Sequence, residues 1–253
     1  LLTLRAVTRL QQARIVLFDA LVGPEVLAQA PHAQHVPVGK RAGRHSLPQS
    51  EINALLLAHA SQGGLVVRLK GGDPTLFGRL DEEVAALDRA GIPFEIVSGV
   101  TSACAAAAAL KRSLTTREVA RELSFVTPST ADLHEEARFA DLQLAPNRTT
   151  VFYMAGRLRH QLAQALLARG FHPDDDIALV FSASLPEQKV QWVSVAMLAV
   201  TPVEPHSGPV LVIAGLHQQP TDGSGNHVRS GARGQEVSEL VMQHHLRRGQ
   251  TAT

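Results

Sequence analysis

The chain has 253 residues, 45% hydrophobic and 19% charged, with 24 basic and 23 acidic side chains and a formal net charge of +1. This is the profile of a globular chain long enough to bury a sizeable core, and its charge balance gives no basis for gripping nucleic acid or an anionic membrane. The single cysteine, Cys104, excludes an intramolecular disulfide and a cysteine zinc cluster and suits a reducing cytoplasm, while no apolar run approaches the roughly 20 residues of a membrane helix.

The opening Leu1-Leu2-Thr3-Leu4 lacks an initiator Met and a secretory pattern, so the chain is expected to begin inside a longer protein. Apolar residues at Leu4, Val7 and Leu10 predict an amphipathic helix over residues 1–12. Arg14 to Asp19 reads as a buried strand ending in an acid. A short helix is expected over 25–30 and a second strand over 34–38, closed by Gly39. The basic, glycine-containing stretch 39–45 reads as a loop, and Ser46 or Pro48 opens a helix to Ala60. Leu65 to Leu69 is a strand that runs straight into Gly71-Gly72-Asp73-Pro74. A helix over 80–89 is stopped by Gly91 and Pro93, and Phe94 to Val97 reads as a further short strand. Ser98-Gly99-Val100-Thr101-Ser102 then turns into an alanine-rich helix ending at Leu110. This alternation predicts a parallel sheet covered by helices.

A second alternating set follows a boundary near Leu110 to Ser113. Its strands are expected over 123–127, 149–154, 177–181, 189–193 and 209–214, with a helix over 158–169. Beyond His217 the composition turns to Gly, Ser, Gln and Arg. That tail is expected to be disordered, apart from a short helix over 236–245. The expected organisation is α/β, with domains at 1–111 and 112–217 and a tail at 218–253.

Three features invite chemistry. Lys70-Gly71-Gly72-Asp73-Pro74 follows a strand, where ligands of parallel sheets bind, and its glycines admit close approach to the backbone. The same residues also make an ordinary tight turn. Ser98 to Ser102 offers free backbone N–H groups and hydroxyls at a strand-to-helix junction, or a simple Ser/Thr helix cap. Arg79 stands at a helix start, where a cation is unfavourable without a partner; a substrate carboxylate would supply one through a bidentate fork. The other basic side chains read mainly as solvated surface. The twelve histidines are scattered and form no metal-ligand pattern. Neither a Gly-x-Ser-x-Gly elbow nor a Gly-x-Gly-x-x-Gly fingerprint occurs.

Taken in order, these motifs resemble the tetrapyrrole methylase family, and within it the uroporphyrinogen-III C-methyltransferases. The likeness begins at Leu2-Thr3-Leu4-Arg5-Ala6 and runs through Val16-Leu17-Phe18-Asp19-Ala20, Val38-Gly39-Lys40-Arg41, Val67-Arg68-Leu69-Lys70-Gly71-Gly72-Asp73-Pro74 and Phe77-Gly78-Arg79. It continues through Gly91-Ile92-Pro93-Phe94-Glu95, Gly99-Val100-Thr101-Ser102-Ala103, Phe125-Val126-Thr127 and Tyr153-Met154 to about residue 215. The resemblance implies two α/β domains with S-adenosylmethionine (SAM) in the cleft between them, a homodimer, and no metal. It implies two methyl transfers to pyrrole carbons of uroporphyrinogen III, giving precorrin-2 for sirohaem or cobalamin biosynthesis in the cytoplasm.

By the family pattern, Gly71, Gly72, Asp73, Val100, Thr101, Ser102, Tyr153 and Met154 line the SAM site. Arg79, Glu82 and Arg117 face the tetrapyrrole as catalytic candidates, and Lys40, Arg41 and Arg79 are candidate partners for its carboxylates. The chain departs from the pattern in several places. Ser98 stands where the family prefers Pro, Leu80-Asp81 replaces Gly-Gly, Pro128 replaces the start of Gly-His, and Ser182-Ala183-Ser184 replaces Gly-Thr-Thr. The family's first strand and its Gly-Pro-Gly-Asp-Pro loop precede the matching start. Methylation of a later precorrin, or a non-catalytic module of the same fold, are the alternative readings.

Overall fold

The computed structural model describes residues 1–39, 47–128, 139–201 and 208–216. Residues 1–217 form one compact unit, and the chain beyond, including the expected tail, lies outside the described residues.

The first half is a small parallel sheet between two layers of helix. Strands β1 (Ile15–Phe18), β2 (Gln34–Pro37) and β3 (Val66–Leu69) lie in the order β2-β1-β3, with Ile15 opposite both Gln34 and Val66. The central strand β1 is buried along its whole length because it feeds both faces in turn. Val16 and Phe18 pack with Leu10 of helix α1 (Leu4–Gln12) and, more loosely, with Val26 of α2 (Pro24–Leu27). Ile15 and Leu17 pack on the other face with Ile52 and Leu56 of α3 (Gln49–Ala60), with Leu87 of α4 (Leu80–Arg89) against them. Successive side chains of a strand point to opposite faces, so an apolar run of four is what a doubly covered strand requires.

Helix α1 starts later than its apolar spacing suggests, because Thr3 caps it: the Thr3 hydroxyl accepts from the Ala6 N–H. The same hydroxyl donates to the Ser98 carbonyl at 3.1 Å and so tethers the helix start to the Ser98–Ser102 junction.

The expected strand at 94–97 does not form. Residues 92–100 carry no strand, and β3 pairs only with β1. A cavity of about 670 Å³ has both β3 and residues 92–97 in its wall. No ladder joins β3 to this segment. Helix α1 holds the segment instead, through ion pairs from Arg5 and Arg9 to Glu95.

The second half is a mixed five-stranded sheet. Strands β4 (Leu123–Val126), β5 (Thr149–Phe152), β6 (Asp176–Phe181), β7 (Lys189–Ser194) and β8 (Val210–Ala214) lie in the order β4-β5-β8-β6-β7. Only β4 and β5 run parallel; β8 is antiparallel to both β5 and β6, and β6 to β7. The β6–β7 connection is too short for a parallel crossover, so the pair forms a hairpin-like return.

Both faces of this sheet are covered. Phe152, Ile177, Leu179 and Val212 pack against Leu162 and Leu166 of α6 (Arg159–Ala168) and Leu198 of α7 (Val195–Leu198). On the opposite face Val151, Ala178, Val180 and Ile213 meet Ala103, Ala106 and Leu110 of α5 (Ser102–Leu110). The run of small alanines lets α5 lie close on the strands. Its first turn is thereby placed beside the end of β5 and beside the Gly71–Asp73 turn.

Candidate functional site

The site grows from the carboxyl end of β3. There the chain makes the turn Lys70-Gly71-Gly72-Asp73, with Gly72 at φ +81°, a conformation that L side chains rarely adopt. This turn lies against the Ser98–Ser102 junction so closely that a Cβ on Gly99 would stand 2.1 Å from the Gly72 carbonyl oxygen. Only glycine fits there.

Asp73 fastens the two segments together. Its Oδ1 accepts from the Thr75 N–H at 2.9 Å and the Thr75 hydroxyl at 2.5 Å, and its Oδ2 accepts from the Gly99 N–H at 2.9 Å. Desolvation, the largest single influence, pushes the Asp73 carboxyl upward. The hydrogen bonds from the Thr75 side chain and backbone and from Gly99 together outweigh it and hold the group below the ordinary aspartate range. The turn reading of Asp73 is met, and the same carboxylate ties the turn to the Ser98–Ser102 junction.

Thr101 stands at the N-cap of α5 without capping it through its side chain. Its hydroxyl is 2.5 Å from the Tyr153 phenol oxygen instead. Tyr153 follows β5, and its ring lies 4.9 Å from the ring of Phe77 and 6.0 Å from that of Phe125. Tyr153 thus links the turn after β3, the start of α5 and the end of β5. The first turn of α5 keeps its backbone N–H groups free of a side-chain cap, and a helix start of this kind favours polar or anionic ligand groups.

The eight residues expected to line the SAM site, Gly71, Gly72, Asp73, Val100, Thr101, Ser102, Tyr153 and Met154, all border the 670 Å³ cavity. Its size falls in the range of small-molecule sites. The cavity extends along β3, past Leu69, Leu87 and Ile96, and its wall is mixed: these apolar side chains stand beside Arg68, Lys70 and Glu83. Three of its lining residues, Phe77, Met154 and Ser184, hold positive φ of 54°, 57° and 67° without being glycine. Strained backbone of this kind persists where the surrounding structure fixes it, and it clusters at ligand sites.

The candidates for facing the tetrapyrrole are placed differently. Arg79 occupies the N-cap of α4 in the left-handed region (φ 55°, ψ 32°), and its guanidinium grips Glu82 with Nε–Oε1 at 2.6 Å and Nη2–Oε2 at 2.9 Å. The partner that Arg79 needs at a helix start is therefore on its own helix. Both side chains remain about half exposed, at 59% and 48%, so the fork is accessible to another carboxylate. Leu80 and Asp81 enter the helix directly, which leaves the strain of the turn on Arg79.

Arg117 is not brought to these residues. Its side chain is 95% exposed and 3.7 Å from Glu118; like Arg79 and Glu82 it is outside the cavity wall. Lys40 and Arg41 lie outside the described residues. Among the described residues no cluster of His, Cys, Asp or Glu has the arrangement of a metal site, and no helix is long and apolar enough to cross a membrane.

Reading the sequence alone missed two components. Phe77, Ala183 and Pro209 line the cavity without polar chemistry to announce them. A buried group of charges around Glu83 was hidden among the acids of α4, although the cations of Val67-Arg68-Leu69-Lys70, interrupting an otherwise apolar strand, were a signal of it.

Comparison with known proteins agrees with this geometry. The family described as Tetrapyrrole (Corrin/Porphyrin) Methylases matches residues 1–199. A siroheme synthase from Tolumonas auensis is 42% identical over 214 residues, 84% of this chain and 46% of the relative. A uroporphyrinogen-III C-methyltransferase from Paracoccus denitrificans is 42% identical over 218 residues, 85% of this chain and 76% of the relative. The chain thus spans less than half the length of the siroheme synthases it matches. Among solved structures, uroporphyrin-III C-methyltransferase from Thermus thermophilus complexed with S-adenosylhomocysteine superposes with a TM-score of 0.70 at 35% identity, covering 84% of this chain and 90% of that one. A cobalt precorrin-4 methyltransferase gives the same TM-score at 27% identity, over 84% and 88% of the two chains. Matched motifs, matched fold and a family match over most of its length establish that the chain belongs to the tetrapyrrole methylase family.

Proposed function

We propose that this chain is the methyl-transferring part of a SAM-dependent uroporphyrinogen-III C-methyltransferase, which adds two methyl groups to pyrrole carbons and yields precorrin-2. The observation that carries the reading is the convergence of Gly71–Asp73, Val100–Ser102 and Tyr153–Met154 on one cavity, from three separate stretches of chain. The pattern of relatives supports it: uroporphyrinogen-III methyltransferases align at 42% and 35% identity, against 27% for a methylase of a later precorrin. In this reading residues 1–111 and 112–217 are the two domains, and the protein works as a homodimer.

SAM supplies an electrophilic methyl group on a sulfonium, and an electron-rich pyrrole carbon attacks it in line. What the chain contributes is position, worth about 7–11 kcal/mol when reactants are held in near-attack geometry. The Gly71-Gly72 backbone admits the cofactor closely, and Phe77, Tyr153 and Met154 supply an apolar wall beside it. The Arg79 fork anchors a substrate carboxylate. It does not remove the ring proton, because a guanidinium stays protonated at any working pH. Glu82, paired with Arg79, sets the direction of that fork and is a carboxylate able to take a proton.

The test is anaerobic turnover of uroporphyrinogen III with SAM, read by product mass, for the protein and its Arg79→Leu variant. The expected result is a gain of two methyl groups and a fall in turnover of roughly a hundredfold or more in the variant, the loss expected when a charged substrate contact is removed. An unmethylated product with SAM still bound would favour a later precorrin as substrate, and unchanged turnover by Arg79→Leu would remove Arg79 from the mechanism.

A further inference from the structure

In the wall of the same cavity, which Arg68, Lys70 and Glu83 also border, four side chains of opposite charge type meet where β1 and β3 end. Glu83, in the first turns of α4, is 2% exposed. Its Oε1 accepts from Arg68 Nε at 3.0 Å and from Gln49 Nε2 at 3.3 Å, and its Oε2 accepts from Lys70 Nζ at 2.8 Å. Arg68 also donates to Asp19 Oδ1 and, at 3.0 Å, to the Leu69 carbonyl. Gln49 donates to Asn53, whose amide donates in turn to the Glu82 carbonyl.

Stability alone is a poor reason for such a group. Buried ion pairs replaced by well-packed apolar side chains are often neutral or stabilising, whereas breaking one partner is costly. The attachments of these charges explain them better. Lys70 is the residue before Gly71-Gly72-Asp73, and a Cβ on Gly78 would stand 2.8 Å from Lys70 Cε, so the Lys70 stem also underlies the turn that ends at Arg79. Glu83 follows Glu82 on α4, one turn from Arg79. One carboxylate therefore joins the end of β3, the cofactor turn and the helix start that presents the Arg79–Glu82 pair.

We propose that Glu83 is a positioning residue: by holding Lys70 and Arg68 it sets the Gly71–Asp73 turn relative to the start of α4, and so the methyl donor relative to the tetrapyrrole. This rests on the methyltransferase reading above. Both Glu83 oxygens are turned to cations, so it acts through them and not by touching reacting atoms. A glutamine in its place offers one acceptor and one donor group, and the donor necessarily faces Lys70 or Arg68. One buried cation is then left against an N–H, and the turn it carries must shift.

The test compares the protein with Glu83→Gln, Lys70→Met and the double variant, by calorimetric binding of S-adenosylhomocysteine, steady-state methylation and thermal unfolding. Each single variant should weaken S-adenosylhomocysteine binding roughly tenfold and lower kcat at temperatures where it is fully folded. The double variant should do no worse than Glu83→Gln, because residues of one network do not add. Lys70→Met breaks the same bond from the other side and carries the test if Glu83→Gln does not fold. Wild-type binding and kcat in the folded variants, whatever their melting temperatures, would overturn the positioning role. A wild-type protein that binds no S-adenosylhomocysteine would overturn the methyltransferase reading beneath it.

Discussion

The two sheets of this protein divide stability from chemistry. The second is covered on both faces, and β5 and β8 are buried from end to end. The first is thinner: β2 is largely exposed, most of β3 is half-buried, and the outer edge of β3 faces the cavity. Yet the glycine turn, the Asp73 carboxylate, Arg79 and the Glu83 group all belong to the first half. The second contributes Tyr153 and Met154 and a rigid platform for α5. A sheet whose edge and strand ends are left open can admit a ligand, and the cost is a smaller core.

Mutation of the two cores should expose the difference most strongly. Ile213 and Leu162 are fully buried on opposite faces of the second sheet, so truncating either to Ala should cost about 2–5 kcal/mol in denaturant unfolding. Val67, half-buried in β3, should cost about 1 kcal/mol as Ala. Equal losses would show that the sheets contribute alike. Gly99→Ala should do the reverse. Its Cβ would overlap the Gly72 carbonyl, which must move, so binding of S-adenosylhomocysteine should fall by roughly tenfold or more while the second sheet unfolds as before. Retained affinity would mean that the two segments need not touch.

The smallest expected effect is on pH. The folded state holds Asp73 below its usual range through Thr75 and Gly99, against desolvation, and holds Glu95 down through Arg9 and Arg5. For a carboxyl with a depressed folded-state pKa, the stabilisation is complete above the unfolded value of about 4 and disappears as pH falls through the folded value. Acid titration followed by NMR should therefore loosen the Asp73–Gly99 contact and the α1–Glu95 tether below about pH 4, before the second sheet responds. Simultaneous loss of both halves would contradict this ordering.

The order of the strands' strength was partly legible in the residues. Unbroken apolar runs such as Ile15–Phe18 and Val210–Ala214 announced doubly covered strands. Phe94 to Val97, apolar but for Glu95, also read as a strand and formed none, because a strand needs a neighbour at hydrogen-bonding distance and local sequence does not say whether one is there. Thr101 read equally well as a cap or as a ligand contact; its bond to Tyr153 depends on a residue 52 positions away. Arg79 was noticed for want of a partner, and the partner was Glu82 three residues on, a spacing that places both on one helical face. The motifs shared with the family pointed to the wall of the site; the cations of β3 hinted at the charge group beside it, but its partners emerged only once α3, α4 and β3 were packed together.

The central claim is that both halves close on one methyl-donor site. Hydrogen–deuterium exchange with and without S-adenosylhomocysteine tests it most directly. The account predicts slowed exchange at Gly71–Asp73, Val100–Ser102 and Tyr153–Met154 together. Protection confined to one of these stretches, or to none, would contradict it.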